Sequence, residues 1–291
     1  MTAAVLNPLA PAPSGTWSTD GVRVRRRRGP HRTHLGVDTF CTPRFCVQRQ
    51  RDLLTVEHDL APEELCDELA VWLAEQLVDT GALRGQSEFE TVFTGVVRST
   101  VDGGSAAWLC FYRNSLDRLE RGATPFAPIH AHAAAQVRGN TVLDLGSCFG
   151  FFPLRLARDG IGVTATDLSA NVMGLLEQAG ARLHRPLTTM TCDASAVPLP
   201  DGSADTVTAL HLIEHLPPGA ATAVLDEAVR LTRRRVVIAV PFEDEPRQCY
   251  GHLQGFDLPG LRRIADDMVR RHRGLTVDVH EFHGGWLILD R

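Results

Sequence analysis

The amino-acid sequence predicts an α/β fold, in which a doubly wound parallel sheet follows a helical N-terminal region. From residue 140 onward, short β-rich runs alternate with amphipathic helical patterns, which is typical of a parallel sheet covered by helices on both faces. A predicted strand, a glycine turn and a predicted helix follow one another within residues 141–157. Acidic residues stand at the ends of three successive predicted strands, at Asp144, Asp167 and Asp193. Because the carboxyl ends of parallel strands share one edge of a sheet, we expect these acids to surround one ligand.

The alternation divides the C-terminal part of the chain into strands, helices and a terminal hairpin. The predicted strands are 142–145, 163–166, 188–191, 206–210 and 236–240. The predicted helices are 153–158, 170–178, 220–232 and 258–271. Two further runs, 275–282 and 286–290, are joined at Gly284 and Gly285 and are predicted to form a β-hairpin.

The N-terminal segment, residues 1–39, is rich in proline and arginine, and we expect it to be flexible. It contains an arginine-rich run at 21–29. Because no aromatic residues interleave with these arginines, the run is interpreted as a solvated or strand-like segment rather than a nucleic-acid-binding patch. An anionic substrate is the alternative.

The next region, residues 40–125, is predicted to be a helical cap over the substrate side of the sheet. Its apolar residues recur at helical spacing, and a capping box opens the second helix. The first predicted helix spans 62–78. The second begins at the capping box formed by Ser87 and Glu90, and the third spans 106–119. Residues 126–291 then form the α/β domain.

Composition limits the classes of function. The chain of 291 residues carries a net charge of −5 and has a sequence pI near 6.2, which argues against a globally basic nucleic-acid binder. No apolar run reaches the roughly 18 residues that a bilayer-spanning helix needs, and the N-terminus lacks the pattern of a signal peptide. We therefore predict a cytoplasmic protein without membrane insertion.

The cysteines are seven in number and scattered, which favours reduced thiols over a disulfide framework. Cys41 and Cys46 form a lone pair with no second pair to complete a zinc site, so packing is the favoured interpretation. His130 and His132 are two residues apart and would not share a helix face, so local packing or capping is favoured over metal binding.

The glycine turn carries the most specific motif. Gly146 and Gly150 can adopt backbone angles that are closed to other residues, and they let a ligand approach the chain closely. Asp167 lies about twenty residues further on, where a carboxylate that accepts hydrogen bonds from two ribose hydroxyls is expected. Together with Asp144 and Asp193, this pattern resembles the class I S-adenosylmethionine-dependent methyltransferases. One departure is Cys148, where that family often has a glycine.

The resemblance implies a Rossmann-like, seven-stranded methyltransferase sheet, with S-adenosyl-L-methionine as the cofactor. Asp144 would order the turn and meet the cofactor's amino group. Asp193 would accept a hydrogen bond from the adenine amino group, and Ala194 would offer a main-chain amide nearby.

A second constellation follows the fourth predicted strand, at His211, Glu214 and His215. The spacing His-x-x-Glu-His is that of inverted zinc peptidases, but those need a real helix, and Pro217 and Pro218 permit hardly more than one turn. Two interpretations stay open. In one, the segment shapes the floor of a metal-free methyltransferase site, with His211 or His215 as the base.

In the other, Glu214, His215 and His252 bind a divalent metal, with Glu243 nearby after the fifth strand. A mixed set of imidazole and carboxylate ligands with open positions suits Mg²⁺ or Mn²⁺ better than a closed zinc site. The pairing of Glu-His with a later His-x-x-x-Phe-Asp resembles the metal-dependent small-RNA 2′-O-methyltransferases.

The chemistry of this constellation favours a hydroxyl acceptor, because a sugar-type hydroxyl needs a base or a Lewis acid near neutral pH. The wider layout resembles the mycofactocin oligosaccharide methyltransferases of actinobacteria, in segments 40–46, 111–116, 146–150 and 250–256. That resemblance implies an oligosaccharide or another glycosylated small molecule as the acceptor. An RNA ribose is the alternative acceptor, and a non-catalytic interaction protein with this fold is the alternative class.

Overall fold

The computed structural model describes residue 9, residues 12–27 and residues 39–291. The chain divides into two compact units, residues 1–117 and residues 118–291. The sequence places the start of the α/β domain at residue 126, so the unit begins eight residues earlier, within a helix. The unit therefore includes residues 118–125, which the sequence assigns to the helical cap.

The first unit contains a five-stranded sheet that the sequence did not predict. Its strands are β1 (Thr16–Thr19), β2 (Val22–Arg26), β3 (Thr39–Cys41), β4 (Phe45–Gln50) and β5 (Leu53–His58), in the order β1-β2-β5-β4-β3. β2 and β5 pair in parallel, and the other neighbours pair antiparallel.

This sheet corrects two predictions. Residues 16–26 are not a flexible segment, and the region after residue 40 begins with strands rather than helices. These strands were missed because buried and polar residues alternate over only a few positions. In β2 and β5 every second residue is buried, while the residues between them are polar. The strand-like interpretation of the arginine run is confirmed for Val22–Arg26. The remaining residues of the predicted flexible segment, 1–8, 10–11 and 28–38, lie outside the described residues.

Three helices complete the first unit: α1 (Leu69–Leu73), α2 (Gly85–Thr100) and α3 (Gly104–Glu120). The single helix predicted over 62–78 is wrong, since a 3₁₀ turn and a π turn flank α1. The amide of Asn114 donates to the carbonyls of Pro62 and Leu65, which a continuous helix would have used internally. α2 begins before the predicted capping box, because Glu88 accepts from the Arg84 amide.

The second unit contains the predicted doubly wound, seven-stranded sheet. Its strands are β6 (Thr141–Leu145), β7 (Gly162–Asp167), β8 (Thr188–Thr191), β9 (Ala204–Leu210), β10 (Thr232–Val240), β11 (Thr276–Glu281) and β12 (Gly285–Asp290), in the order β11-β12-β10-β9-β6-β7-β8. Its helices are α4 (Ala127–Gln136), α5 (Phe151–Arg158), α6 (Ala170–Arg182), α7 (Pro218–Leu231) and α8 (Leu258–Arg271). β6 to β10 are parallel, and β12 inserts antiparallel beside β10. The class I methyltransferase fold is confirmed.

This sheet has a hydrophobic core on each face, and alternate side chains of β10 belong to the two cores. Val236, Ile238 and Val240 face the core that α7 and α8 cover. Val237 and Ala239 face the core that α4 and α5 cover. Because both faces are buried, the strand is a continuous apolar run, and the parallel strands deliver their carboxyl ends to one edge.

Two findings concern the cysteines and the membrane. Cys41 and Cys46 are directly opposite each other on β3 and β4 and form a disulfide, so the expectation of reduced thiols is wrong for this pair. Nothing in the local sequence indicates that a tight hairpin joins them. The other five cysteines, all within the described part of the chain, form no disulfide. Among the described helices, none is long and apolar enough to cross a bilayer.

Arg235 of β10 and Asp290 of β12 form an ion pair that joins the two strands. Arg235 Nε and Nη2 donate to the two oxygens of Asp290, at 2.6 and 2.7 Å, and this bidentate pairing lowers the pKa of Asp290. We expect Asp290→Asn to lower the free energy of unfolding at pH 7 by about 1–2 kcal/mol, a value reduced for the solvent exposure of the carboxylate.

The pH dependence follows from the direction of the shift. A depressed carboxyl pKa contributes stability above the ordinary aspartate value of about 3.9 and loses it as the pH falls through the folded value. Denaturant titrations at pH 7 and pH 3 should therefore show the difference between the two proteins shrinking in acid. Asp266→Asn, at an exposed position of α8, is the matched control. An equal difference in the free energy of unfolding at both pH values would contradict a depressed pKa of Asp290.

Candidate active site

The glycine turn between β6 and α5 has the geometry that the sequence predicts. Gly146 and Gly150 have φ of 66° and 69°. A Cβ added at Gly146 would lie 2.5 Å from a Leu212 methyl carbon, and one at Gly150 would lie 2.4 Å from Leu176. Both positions therefore require glycine for backbone angle and for space. Cys148 also lies in the left-handed region, at φ 48°, so it adopts the conformation of the glycine that it replaces.

Asp167 connects this turn to α6. Its Oδ2 accepts from the Cys148 amide at 3.0 Å, and its Oδ1 accepts from the Ser169 amide at 2.9 Å. Each carboxylate oxygen has two lone pairs, so both can accept a further hydrogen bond. The side chain is half-buried at the carboxyl end of β7. It can therefore hold the turn in shape and still receive two hydroxyls.

Asp144 lies inside the sheet, 3% exposed. Its carboxylate accepts from the hydroxyl of Thr208, its partner on β9. Burial raises the pKa of Asp144 to about 6, against the hydrogen bonds from Ser147 and Thr208, which lower it. The main-chain carbonyl of Asp144 accepts from the hydroxyls of Ser147 and Thr166. The structure thus gives Asp144 contacts that order the turn, as the sequence predicts.

Asp193 follows β8 and is exposed. Its Oδ1 accepts from both the amide and the hydroxyl of Ser195, at 2.8 Å each, and these bonds lower the pKa of Asp193. Among the described residues, Oδ2 has no hydrogen-bond partner. Ala194 lies next to it and is half-buried. Asp193 is therefore ionised, oriented and open to a donor.

The second constellation begins directly after β9. His211 has φ 55°, an unusual value for a non-glycine residue, and its amide donates to the Ala239 carbonyl. The imidazole Nδ1 lies 3.2 Å from Oε1 of Glu214. The ring also meets the edge of Phe126, with 6.0 Å between centroids. Phe126, at the start of α4, is a site residue that sequence reasoning missed, because nothing local links it to His211.

Glu214 and His215 lie on a single 3₁₀ turn, Ile213–His215, and not on a helix. This finding excludes the geometry that the inverted zinc-peptidase motif requires. Glu214 is 0% exposed, and neither carboxylate oxygen accepts a hydrogen bond of good geometry, although Nδ1 of His211 lies 3.2 Å from Oε1. A buried carboxylate in that condition is costly unless a cation approaches it.

The structure brings Glu214, His215 and His252 together. Each offers a ligand atom, and these atoms lie within 4.8 Å of one another. The rings of His215 and His252 are 4.8 Å apart between centroids. Burial lowers the pKa of His215, although Glu214 raises it. At neutral pH the imidazole of His215 is therefore available as a lone-pair donor.

Neighbouring groups orient the two imidazoles. Nδ1 of His252 lies 2.7 Å from Oε2 of Glu243, so Glu243 accepts that proton and leaves Nε2 free. A main-chain hydrogen bond at Gly251 favours the protonated ring of His215. Carboxylate and carbonyl partners of this kind fix the tautomers of metal-binding histidines. The residues fit a divalent cation.

The segment that carries His252 is held against the turn that carries Glu214 and His215. The amide group of Gln254 donates to the carbonyls of Ile213 and Leu216, at 3.0 and 2.8 Å. The carbonyl of Glu214 accepts from the main-chain amides of Leu253 and Gln254. Gln254 was not predicted, since a glutamine in a loop gives no signal in the sequence.

The remaining predicted histidines lie on α4. Burial lowers the pKa of His130 to about 3, and its ring packs on Phe152 at 5.6 Å. His132 instead meets His280 of β11. Neither belongs to the cluster around Glu214.

Comparison with known proteins supports the fold and the domain. Residues 143–240 match the family model described as "Methyltransferase domain". A demethylmenaquinone methyltransferase of Beutenbergia cavernae is 34% identical over 145 residues, which cover 49% of this chain and 55% of that protein. The chain thus spans about half the length of this curated relative.

Two solved structures are similar to this chain. Magnesium protoporphyrin IX methyltransferase from Synechocystis, with bound SAM, is 20% identical, with a TM-score of 0.44, covering 60% of this chain and 79% of that one. A SAM-dependent methyltransferase from Aquifex aeolicus is 16% identical, with a TM-score of 0.43, covering 60% and 97%. Residues 143–240 therefore match a methyltransferase domain, and the sheet that contains them has the strand order of the class I methyltransferase fold.

Proposed function

We propose that this protein is an S-adenosylmethionine-dependent O-methyltransferase that acts on a hydroxyl of a glycosylated small molecule, with the mycofactocin oligosaccharide as the specific candidate. One observation carries the proposal. The glycine turn and the turn with His211, Glu214 and His215 are in direct contact, through Gly146 and Leu212. A cofactor held by the first turn would therefore present its methyl group beside the second.

The cofactor part of the proposal uses the three acids and the two glycines. Gly146 and Gly150 give the turn its left-handed backbone angles, so that its main chain can lie against the methionine portion of the cofactor. The two oxygens of Asp167 accept from the ribose hydroxyls, and the open oxygen of Asp193 accepts from the adenine amino group. Asp144 keeps the turn in place from inside the sheet. Ala194 adds its main-chain amide near the adenine.

The catalytic part concerns an acceptor hydroxyl, which must lose a proton as it attacks the methyl carbon. A divalent cation held by Glu214, His215 and His252 would lower the pKa of that hydroxyl. His211, oriented through Nδ1 by Glu214, can receive the proton on Nε2. His215 is the alternative base if no cation binds. Positioning supplies the rest, because methyl transfer is an in-line displacement.

Three alternatives compete with a glycosylated acceptor: an RNA ribose, demethylmenaquinone and a non-catalytic role. The net charge of −5 disfavours RNA, whose phosphates attract basic surfaces. The name of the Beutenbergia relative suggests demethylmenaquinone as a second small-molecule acceptor. A non-catalytic interaction protein would not need a buried carboxylate without a hydrogen bond at Glu214. We also propose a cytoplasmic location, which the five cysteines outside any disulfide support and the Cys41–Cys46 disulfide opposes.

The first prediction concerns cofactor binding. Isothermal titration calorimetry should detect S-adenosylhomocysteine, and Asp167→Ala should weaken that binding by about 1–3 kcal/mol, because a pair of hydroxyls loses its acceptor. Asp266→Ala, at an exposed position of α8, should leave the affinity unchanged. No binding to the unaltered chain at millimolar ligand would favour the interaction-protein alternative.

The second prediction separates the acceptors. Radiolabel from the methyl group of S-adenosylmethionine should pass to glycosylated small molecules in a cell extract and to neither total RNA nor demethylmenaquinone. Substrate binding should depend little on salt, since several phosphate contacts would give a steep loss of affinity with salt. Label in RNA alone, or in demethylmenaquinone alone, would reverse the order of the candidates.

The third prediction concerns the cation. Chelation should abolish activity, and Mg²⁺ or Mn²⁺ should restore it, while the affinity for S-adenosylhomocysteine barely changes. Glu214→Gln keeps the shape but removes a charge, so it should lower the affinity for the cation more than the free energy of unfolding. Glu245→Gln, at an exposed position nearby, is the matched control.

A different pattern would identify a metal-free base. Resistance to chelation together with an active His252→Ala enzyme would contradict the cation site. Replacement of His211 or His215 alone should then cost about 10²–10⁴ in rate, the usual contribution of a positioned base.

A further inference from the structure

A pair of histidines lies between α4 and the edge strand β11, and neither takes part in the proposed reaction. Nε2 of His132 is 2.8 Å from Nε2 of His280. Nδ1 of His280 is in turn 2.7 Å from Oδ2 of Asp278. The carboxylate accepts the Nδ1 proton, so Nε2 of His280 carries a lone pair that points at His132.

Aromatic side chains hold the His132 ring in place. The ring stacks on Phe282 with 4.8 Å between centroids and meets Trp286 edge-on at 4.5 Å. The Trp286 indole donates to the main-chain carbonyl of Phe282 at 2.7 Å, which fixes the orientation of the Trp286 ring. The His280 ring lies parallel to Trp286. Both imidazoles therefore have their orientation set by neighbours other than each other.

We propose that His132 and His280 bind a divalent transition-metal ion such as Ni²⁺, Cu²⁺ or Zn²⁺. A change of tautomer at His132, which moves its proton to Nδ1, presents two Nε2 lone pairs to one ion. Asp278 acts as the partner that orients a metal-binding histidine and increases its basicity. The His280 side chain is 30% exposed, so an ion can reach the pair from solvent.

The chemistry of the donors selects the class of ion. Two imidazoles suit Zn²⁺, Cu²⁺ and Ni²⁺, whereas Mg²⁺ prefers oxygen ligands. Among the described residues, no third histidine, cysteine or carboxylate completes a cluster here, so water fills the remaining positions. This site differs in class from the carboxylate-containing cluster at Glu214. A bound ion would join α4 to the edge strand and stabilise the folded state by mass action.

The test uses the tag-free full-length chain with His252→Ala, which removes the other candidate site. Calorimetry with Ni²⁺ should show one ion bound per chain, whereas Mg²⁺ should not bind. His132→Ala and His280→Ala should each abolish Ni²⁺ binding. Asp278→Asn should weaken it about 10- to 100-fold, the usual effect of removing such a partner. Ni²⁺ should also raise the midpoint of thermal unfolding, and this rise should disappear in the histidine variants.

The matched control is His272→Ala. His272 lies 2.6 Å from Asp226 and so has a carboxylate partner, but its pair contains a single histidine. This variant should bind Ni²⁺ as before. Asp278 is 69% exposed, so Asp278→Asn tests the site even if a histidine variant fails to fold. Absence of Ni²⁺ binding, or binding that survives both histidine replacements, would contradict the metal site and leave His132 and His280 as a hydrogen-bonded pair only.

Discussion

The pairing of β6 with β9 at the centre of the seven-stranded sheet is the constraint on which the site depends. The register places Asp144 beside Thr208, and the threonine hydroxyl binds the buried carboxylate. With that register, the glycine turn after β6 and the histidine turn after β9 emerge side by side. A shift by one residue would turn each side chain to the opposite face and separate the two turns. The proposed cofactor binding and the proposed proton transfer would thus both depend on one strand pair.

The sequence predicted the second unit well because its signals are local. Apolar strands buried on both faces, glycines at a turn and helix starts at Ser169 or Asp257 can all be recognised within a few residues. The first unit was predicted poorly for the same reason. Its strands are three to six residues long, and their burial depends on pairing across the chain, as in β2 with β5. Alternation over such short runs is hard to distinguish from a loop.

The site shows the same division. Gly146, Asp167 and Glu214 were singled out from spacing, because each stands at or shortly after the end of a strand. Phe126 and Gln254 were missed, because their contacts with the histidine turn depend on tertiary packing. The sequence placed Glu243 near the histidines, but only the structure gives it the Nδ1 proton of His252. Candidate site residues can thus be identified from their type and spacing in the sequence. The tautomer of a histidine and the orientation of a side chain depend on neighbours that only the folded structure supplies.

The hydrogen bonds of Gln254 have a consequence for how such an enzyme could change. The hydrogen bonds between the segment from Glu243 to Gln254 and the turn from Ile213 to Leu216 include two from the Gln254 side chain and two from main-chain amides to the Glu214 carbonyl. Neither segment can move far without breaking the other's main-chain contacts. A loop transplanted from another enzyme at residues 243–254 would therefore have to bring an equivalent of Gln254, or the histidine turn would lose its support. The loop and the turn therefore form one structural unit that has to be exchanged together.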